Sequence, residues 1–348
     1  MHRRIALVIP FLFLPLLAAT AADNAPPTAP AAPRRPIQFG IQTGQQDVSW
    51  PDLLATWKDA EALGYDSAWD FDHFMPITGD RNGPCFEGWT LLSALAAETH
   101  RIRIGALVTG NTYRNPALLA KMATTVDHIS NGRLNLGIGA AWFEPDHQAY
   151  GFPFYTAQQR AERLGEALEV ITRLWTTDHP SFTGNYYLLS NAPFAPAPIQ
   201  KPHPPIIIGG KGKKWIMPLV AKYADGWNVP LGVSPEGVRS RIYEINQECK
   251  RIGRTPCDIE VSVFLPLISI TNLPLAGPVT RLAARAVAPS KVARQVLAGS
   301  PKEISAQIQR YIDVGVTHVI VYLRPPFDRD LMRQFATEII PTFRSAQP

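Results

Sequence analysis

Short runs of consecutive apolar residues alternate along the chain with longer segments in which apolar residues recur every three or four positions. The short runs predict parallel strands buried on both faces, and the longer segments predict amphipathic helices. About eight strands alternate with helices, which is typical of an α/β protein whose strands close into a (β/α)8 TIM barrel with insertion segments. A doubly wound open sheet is the alternative architecture. Strands are predicted at residues 37–43, 67–71, 102–108, 134–138, 206–208, 226–229, 259–270 and 318–323.

The clearest βαβ unit lies between residues 101 and 142, where two apolar strands flank one amphipathic helix. Pro116 suits the first turn of that helix, and Asn131 with Gly132 supplies residues that tolerate a left-handed C-terminal cap. Both strands end in small or polar residues. The small side chains therefore leave open space at the strand ends, where a parallel sheet of this kind has its ligand crevice. We expect a flat ligand there.

The other helices carry similar start and stop signals. Ser49 and Ser300 are predicted N-caps, and Gly64 is predicted to close the first helix. Residues 182–189 read as a hairpin-like insertion, residues 143–155 as a loop, and residues 272–297 as a mobile or helical excursion. The predicted helices cover residues 52–63, 89–98, 158–175, 215–223, 235–251, 301–314 and 328–340.

The first 36 residues have the pattern of an export signal rather than of a folded domain. Residues 1–22 combine a basic start with an apolar run and small residues before a cleavage site, as in a secretory signal peptide, and the run is too short for a lasting membrane anchor. Arg3-Arg4 fits either the Sec or the twin-arginine route. A disordered Pro/Ala-rich linker (23–36) precedes one domain (37–345). We expect an exported protein, periplasmic or secreted.

Composition narrows the functional classes. The net charge is +5, and no cluster of Lys and Arg interleaved with aromatic residues is present, so a nucleic acid is not an expected partner. The three cysteines, Cys85, Cys249 and Cys257, lack metal-ligand spacing, and no metal site is predicted. Export permits a bridge between Cys249 and Cys257, and two free buried thiols are an equal alternative. The chain also lacks a G-x-S-x-G hydrolase motif.

Polar and small residues follow several predicted strands, and in a barrel all of these strand ends share one face. They are Asp72-His73, Thr109-Gly110-Asn111, residues 139–142, Gly209-Gly210 and Asn228. The convergence predicts a ligand site there. The turn Gly209-Gly210-Lys211-Gly212 lies between a strand and a helix, so its backbone N–H groups suit a phosphate, although the spacing is not that of a P-loop or a dinucleotide fingerprint.

Five stretches resemble the luciferase-like monooxygenase superfamily, and specifically its deazaflavin-dependent oxidoreductases. They are LGYDSAWDFDHF (63–74), GPCFEGWTLLSALA (83–96), IGALVTGNTYRNPALLAKMATTVDHISNGRLNLGIGAAW (104–142), PPIIIGG (204–210) and YADGWN (223–228). The resemblance runs over residues 37–343. It implies a bacterial-luciferase-like (β/α)8 barrel with a flavin or deazaflavin lying over the barrel mouth.

Motif by motif, the resemblance implies roles for named residues. Asp72 and His73 match an Asp-His pair beside the redox ring, where His73 would shuttle a proton. The Leu107-Val108 pair matches a bulge with a non-prolyl cis peptide that supports the ring. The implied catalytic residues are therefore His73 and Asp72. The predicted cofactor-binding residues are Leu107, Val108, Thr109, Gly110, Asn111, Gly139, Trp142, Gly209, Gly210, Lys211, Gly212 and Asn228.

The expected reaction is hydride transfer between a small organic substrate and coenzyme F-420 (8-hydroxy-5-deazaflavin). Trp142 and Ile77 stand where a sugar-phosphate dehydrogenase branch has a catalytic glutamate and a tryptophan, which argues against sugar-phosphate oxidation. Glu87, Glu144 and Tyr113 are candidates for substrate contacts. The alternatives are an FMN-dependent monooxygenase with a flavin reductase partner and a non-catalytic periplasmic binding barrel. The family often forms homodimers, so a homodimer is the expected assembly.

Overall fold

The computed structural model describes residues 35–273, 276–287, 292 and 295–344. The predicted signal peptide, and the linker up to residue 34, lie outside the described residues. The strands are β1 (Gln38–Thr43), β2 (Ser67–Asp70), β3 (Arg103–Ala106), β4 (Thr109–Gly110), β5 (Leu136–Gly139), β6 (Phe182–Thr183), β7 (Leu188–Leu189), β8 (Ile206–Gly209), β9 (Gly226–Val229), β10 (Glu260–Ile270), β11 (Leu297–Gly299) and β12 (His318–Leu323).

The helices alternate with these strands, as the periodicity predicts. Within the described residues they are α1 (Trp50–Ala62), α2 (Gly88–Glu98), α3 (Pro116–Ile129), α4 (Glu144–Tyr150), α5 (Ala157–Thr176), α6 (Ile216–Tyr223), α7 (Pro235–Arg251), α8 (Ala276–Val287), α9 (Pro301–Ile312), α10 (Arg329–Glu338) and α11 (Ile340–Arg344). No helix in this part of the chain has the length and apolar character needed to cross a membrane.

The main sheet is parallel and follows the order β3-β2-β1-β12-β10-β9-β8-β5-β4. Its two ends meet where Ile104 of β3 bridges Leu134, just before β5, and the Asn135 N–H donates to the Ile104 carbonyl at 2.8 Å. The sheet is therefore a nearly closed barrel, and the (β/α)8 prediction is confirmed over the doubly wound alternative.

The caps follow the sequence signals. Ser49 accepts a hydrogen bond from the Asp52 N–H, and Ser300 forms a capping box with Glu303. Asn131 and Gly132 both have positive φ, at 53° and 81°, so they end α3 in the left-handed region.

Several elements differ from the predictions in their bounds or division. The strand predicted at residues 102–108 stops at Ala106 and resumes as β4, because the chain bulges at Leu107-Val108. The region predicted as a loop after β5 contains α4, a short helix that ends at Gly151 in the left-handed conformation. The predicted C-terminal helix is two helices, α10 and α11. The excursion contains the helix α8, in agreement with the helical alternative, and also the unpredicted strand β11, which pairs with β10.

Two apolar clusters stabilise the barrel. The larger fills the space between the strands and the surrounding helices, whereas a small interior cluster of Trp69, Leu107, Ile207 and Ile320 packs inside the strands. Because Leu107 belongs to this interior cluster, the floor of the barrel mouth rests on packed side chains.

Cys249, in α7, forms a disulfide with Cys257, which precedes β10. Their Cα atoms lie 5.8 Å apart, within the range that a disulfide bridges. Of the two alternatives that the sequence left open, the bridge is therefore the one present. Cys85 is a free thiol, and burial raises its pKa to about 12.

Candidate active site at the barrel mouth

The strand ends named in the sequence analysis do meet at one end of the barrel. Thr109 pairs with Ile138 and Gly110 with Gly139, while Gly209 pairs with Asn228 on the neighbouring strand. Parallel pairing places the carboxyl ends of these strands at the same edge. The predicted convergence of these residues at one end of the barrel is therefore confirmed, and the ligand site there stays a prediction.

The peptide bond between Leu107 and Val108 is cis, as the resemblance implies. The bulge is held by the Gln42 side-chain amide, which donates to the Leu107 carbonyl at 2.7 Å, and by the Leu107 N–H, which donates to the Asp70 carbonyl at 2.9 Å. Val108 is left partly exposed at the mouth. The bulge thus places the small apolar side chain of Val108 at the barrel mouth, on a backbone that hydrogen bonds hold in place.

Two strand-end glycines make room for Val108. A Cβ at Gly139 would lie 2.9 Å from Val108 Cγ2, and a Cβ at Gly209 would lie 2.9 Å from Val108 Cγ1. Both distances are too short for real side chains, so these positions require glycine. The three residues form a low, smooth floor on which a flat ring can lie.

The turn after β8 leads into α6. Gly210 has a φ of 136°, a conformation that suits glycine, and its carbonyl accepts a hydrogen bond from the Trp227 indole at 2.7 Å. The first turn of α6 has no side-chain cap, and its Ile216 and Met217 N–H groups donate to the Gly212 carbonyl at 2.8 and 3.2 Å. Lys211 and Gly212 lie on this turn, and Lys213 beside them pairs with Glu244 at 3.2 Å.

The carboxylate partner of His73 is Asp146 of α4. His73 Nδ1 lies 2.7 Å from Asp146 Oδ2, and the Phe74 N–H donates to the other carboxylate oxygen at 3.3 Å. Asp146 is fully buried, whereas the His73 side chain keeps a small exposed fraction. Bonding at Nδ1 leaves Nε2 as the ring nitrogen available to a ligand.

The Asp72 carboxylate is held by a neighbouring cation and a backbone N–H group. Its carboxylate accepts hydrogen bonds from the Arg114 guanidinium at 2.6 and 3.0 Å and from the Gly110 N–H at 3.2 Å. Burial raises the pKa of Asp72, and the Arg114 charge counteracts that shift. Arg114 also binds Glu87. Asp72 therefore ties the end of β2 to β4 across the mouth.

Asp70, the last residue of β2, is completely buried. Neither of its carboxylate oxygens has a hydrogen-bond partner among the described residues. Burial, and then the nearby charges of Asp72 and Glu87, raise the pKa of Asp70 well above its usual range.

The three candidates for substrate contacts are engaged elsewhere. Glu87 caps α2 by accepting the Thr90 N–H at 2.6 Å, and Glu144 accepts a hydrogen bond from Gln148 on the surface of α4. The Tyr113 hydroxyl donates to Asp146 at 3.1 Å. Burial, followed by the Asp146 charge, raises the pKa of Tyr113. Tyr113 thus supports the partner of His73.

Of the other predicted residues, Thr109, Asn111 and Asn228 are buried, whereas Trp142 is exposed. The Thr109 hydroxyl accepts the Trp89 indole N–H at 2.9 Å, and the Asn228 amide donates to Ser262 at 3.0 Å. Asn111 is buried, and its N–H donates to the Gly139 carbonyl at 3.0 Å. Trp142, by contrast, is 66% exposed, with its ring centroid 5.9 Å from that of His73.

Sequence reasoning missed Asp146, Arg114 and Asp70. Asp146 lies in a stretch read as loop, more than 70 residues from His73 along the chain. Arg114 lies inside the quoted 104–142 motif, so its position in the motif was the available signal. Asp70 is a strand residue whose isolation only the packed structure reveals.

Comparison with known proteins agrees with this architecture. The chain is 27% identical over 340 residues to an F-420-dependent glucose-6-phosphate dehydrogenase of Amycolatopsis mediterranei, covering 89% of this chain and 99% of the relative. It is 28% identical over 206 residues to an FMNH(2)-dependent dimethylsulfone monooxygenase of Pseudomonas putida, covering 59% and 55% of the two chains.

A solved structure described as an F-420-dependent secondary alcohol dehydrogenase in complex with an F-420–acetone adduct superposes with a TM-score of 0.76. It is 22% identical in sequence, and the match covers 89% of this chain and all of that one. The model of the luciferase-like monooxygenase family matches residues 35–272, which include the bulge, the His73 strand end and the glycine-rich turn. The chain belongs to the luciferase-like monooxygenase family.

Proposed function

We propose that this protein is a deazaflavin-dependent oxidoreductase that transfers a hydride between coenzyme F-420 and a small organic substrate. The observation that carries the proposal is the floor formed by Val108 with Gly139 and Gly209, beside a histidine held by a buried carboxylate. The relative from Amycolatopsis mediterranei, matched over 89% of this chain, supports the choice of cofactor.

The residues present fit such a cofactor. Val108, Gly139 and Gly209 form the floor for a flat ring, since any larger residue at either glycine would push Val108 into that space. The glycine-rich turn at Gly210, between β8 and α6, suits the phosphate of the cofactor side chain. Bound there, a deazaflavin supplies a carbon centre that accepts or donates two electrons as hydride.

The chain's own contribution is orientation and proton handling. With Nδ1 bonded to Asp146, His73 keeps Nε2 free to take the hydroxyl proton of an alcohol as it is oxidised, or to return it in the reverse direction. The Asp72–Arg114 ion pair fixes the Gly110 end of β4, which keeps the bulge and His73 in register. Aromatic contacts from Phe71 and Phe143 on the His73 ring exclude water.

Titration of the mature protein with deazaflavin and with FMN, followed by visible absorption under matched phosphate, tests the assignment. We expect micromolar or tighter binding of the deazaflavin and much weaker binding of FMN. Preferential FMN binding, with oxygen consumption in the presence of a flavin reductase, would move the protein to the monooxygenases that it also resembles. Binding of neither cofactor would indicate a non-catalytic barrel.

We also propose that the protein is exported. The signal-like residues 1–22 and the Cys249–Cys257 disulfide support this location, because structural disulfides persist in oxidising compartments. The test is fractionation of cells producing the full chain, with Arg3 and Arg4 both changed to Lys in a second strain. Retention of the Lys variant inside the cell would assign the twin-arginine route, and unchanged export would assign Sec. Cytoplasmic location of the unaltered chain would contradict the proposal.

A homodimer is the assembly that we propose from the family resemblance. Analytical ultracentrifugation of the mature protein at micromolar concentration tests this, and a single species at the monomer mass would refute it. A flavin reductase is expected as a partner only if the FMN assignment holds.

A further inference from the structure

Tyr322, near the C-terminal end of β12, is a buried tyrosine whose hydroxyl group has no hydrogen-bond partner among the described residues. The other three buried tyrosines, Tyr65, Tyr113 and Tyr311, all donate to a carbonyl or carboxylate oxygen, at 2.8, 3.1 and 3.2 Å. Buried polar groups in native proteins are nearly always hydrogen-bonded, because burial without a partner is costly. The Tyr322 hydroxyl group is therefore a donor available to a bound molecule.

The register of β12 places the Tyr322 side chain inside the barrel. Ile320 belongs to the interior cluster, and side chains two residues apart on a strand point to the same face, so Tyr322 lies one layer nearer the mouth. Its ring centroid is 5.2 Å from that of Phe264 on the neighbouring strand. Tyr322 also pairs with Gln42, whose amide holds the Leu107 carbonyl. The phenol thus lines the mouth beside residues that position the bulge.

Tyr322 and the glycine floor lie on opposite sides of the mouth. The sheet order places β12 four strands from β5, which carries Gly139, and two strands from β2, which leads to His73. In a nearly closed barrel of this size, strands four apart face each other across the interior. A molecule that lies next to a ring on the floor therefore comes within reach of Tyr322.

Arg324 adds positive charge on the same side. It follows Tyr322 by two residues, its side chain is exposed, and no hydrogen bond or ion pair joins it to another described residue. Burial raises the pKa of Tyr322 and the Arg324 charge counteracts that shift, whereas the charges of Asp146 and Asp72 add to the effect of burial on the pKa of Tyr113. An anion is therefore favoured beside Tyr322 rather than beside His73.

We propose, on the basis of the hydride-transfer function above, that Tyr322 and Arg324 bind the carboxylate group of an organic-acid substrate. One cation and one neutral donor match a monoanion, and hydrogen bonds to a charged acceptor are stronger than those to a neutral one. The Phe264 ring packs against the carbon skeleton of the acid. The site is separate from the glycine-rich turn at Gly210, which follows a strand three positions from β12 in the sheet.

Calorimetric titration of the mature protein tests the proposal without relying on turnover. The probes are benzoate, its uncharged amide benzamide, and inorganic phosphate, each added with and without deazaflavin. We expect benzoate to bind at least ten-fold more tightly than either of the others. Tyr322→Phe keeps the ring beside Phe264 and removes only the hydroxyl group, so it should weaken benzoate binding by about ten-fold or more and benzamide binding by less.

Variants of Arg324 separate charge from packing. Because the side chain is exposed, Arg324→Gln should fold normally, and it should remove most of the preference for benzoate over benzamide. Arg324→Lys keeps the charge and should retain that preference. Tyr243→Phe is the matched control for Tyr322→Phe, since Tyr243 is 65% exposed on α7, away from the strand ends of the mouth. Its benzoate affinity should equal that of the unaltered protein.

The proposal is overturned if benzoate does not bind, if benzamide or phosphate binds as tightly, or if Tyr322→Phe leaves benzoate binding unchanged. It is also overturned if Tyr322→Phe weakens deazaflavin binding and not benzoate binding, because the phenol then belongs to the cofactor site. These failures are distinct from failure of the proposed function. A protein that binds benzoate through Tyr322 but binds no deazaflavin would refute the function and keep the carboxylate site.

Discussion

The Nδ1 atom of His73 lies 2.7 Å from the Oδ2 atom of Asp146, a fully buried carboxylate on a helix that begins five residues after β5 ends. The contact joins the ends of two strands that are not neighbours in the sheet. A carboxylate at Nδ1 selects the tautomer that carries its proton there and leaves Nε2 unprotonated. Asp146 is therefore a positioning residue for His73.

Replacing Asp146 by Asn should impair this orientation, because an amide can donate or accept and so permits either tautomer. We expect kcat to fall by roughly 100-fold, within the usual range for general acid–base catalysis, while KM and deazaflavin affinity change little. Nitrogen-15 NMR of labelled histidine should show a mixture of tautomers at His73. Glu144→Gln, on the same helix but exposed, is the control and should behave as the unaltered protein. An unchanged tautomer in Asp146→Asn would refute the positioning role.

The glycine floor gives a second prediction. In Gly139→Ala the new Cβ would lie 2.9 Å from Val108 Cγ2, so Val108 must move into the ring space. We expect the Kd for deazaflavin to rise about ten-fold or more, equivalent to about 1.4 kcal/mol. The measurement is absorption titration of the purified variant.

Gly165→Ala is the control for that experiment. Gly165 lies inside α5, where alanine should stabilise the helix by about 1 kcal/mol provided that the Leu219 methyl group, 3.2 Å from the new Cβ, gives way slightly. Its deazaflavin affinity should be unchanged. Equal affinities in Gly139→Ala and Gly165→Ala would show that the floor does not contact the cofactor.

Asp70 predicts a pH dependence of stability. Its pKa is raised in the folded protein, so between the unfolded value of about 3.9 and the folded value the native state binds more protons than the unfolded state. The free energy of unfolding then loses up to about 1.4 kcal/mol per pH unit from this group as the pH rises through that interval. Asp70→Asn removes this slope.

The measurement is urea denaturation of both proteins between pH 4 and pH 7. We expect the free energy of unfolding of Asp70→Asn to increase relative to that of the unaltered protein as the pH rises. A difference that stays constant with pH would mean that Asp70 ionises in the folded protein as it does in the unfolded chain.

The disulfide predicts sensitivity to reductant. Cys249 and Cys257 are separated by 8 positions, and closing a loop of that size stabilises by about 2.5 kcal/mol in the chain-entropy model. Cys257→Ser, or dithiothreitol, should lower the free energy of unfolding by that order, measured in urea. Cys85→Ser should keep the dependence on dithiothreitol, because Cys85 is the free thiol. Three titratable thiols in the unfolded, unreduced protein would contradict the bridge.

Much of the fold was readable in the sequence because its determinants are local. The strand Gly226–Val229, the helix Pro235–Arg251 and the strand His318–Leu323 begin and end where apolar runs and caps predict. Glycine and polar residues at successive strand ends indicated the site face, because parallel strands of a barrel all point the same way. Burial periodicity and capping chemistry act over a few residues, so a single sequence carries them.

Only the tertiary structure decided which side chains meet. Asp72 and His73 are adjacent in the motif, yet neighbouring residues of an extended segment point in different directions, and the Asp72 carboxylate binds Arg114 whereas His73 binds Asp146. The partner of His73 comes from α4, and the raised pKa of Asp70 arises first from its complete burial. Contacts and desolvation depend on the packing of distant segments, which residue patterns along the chain do not encode.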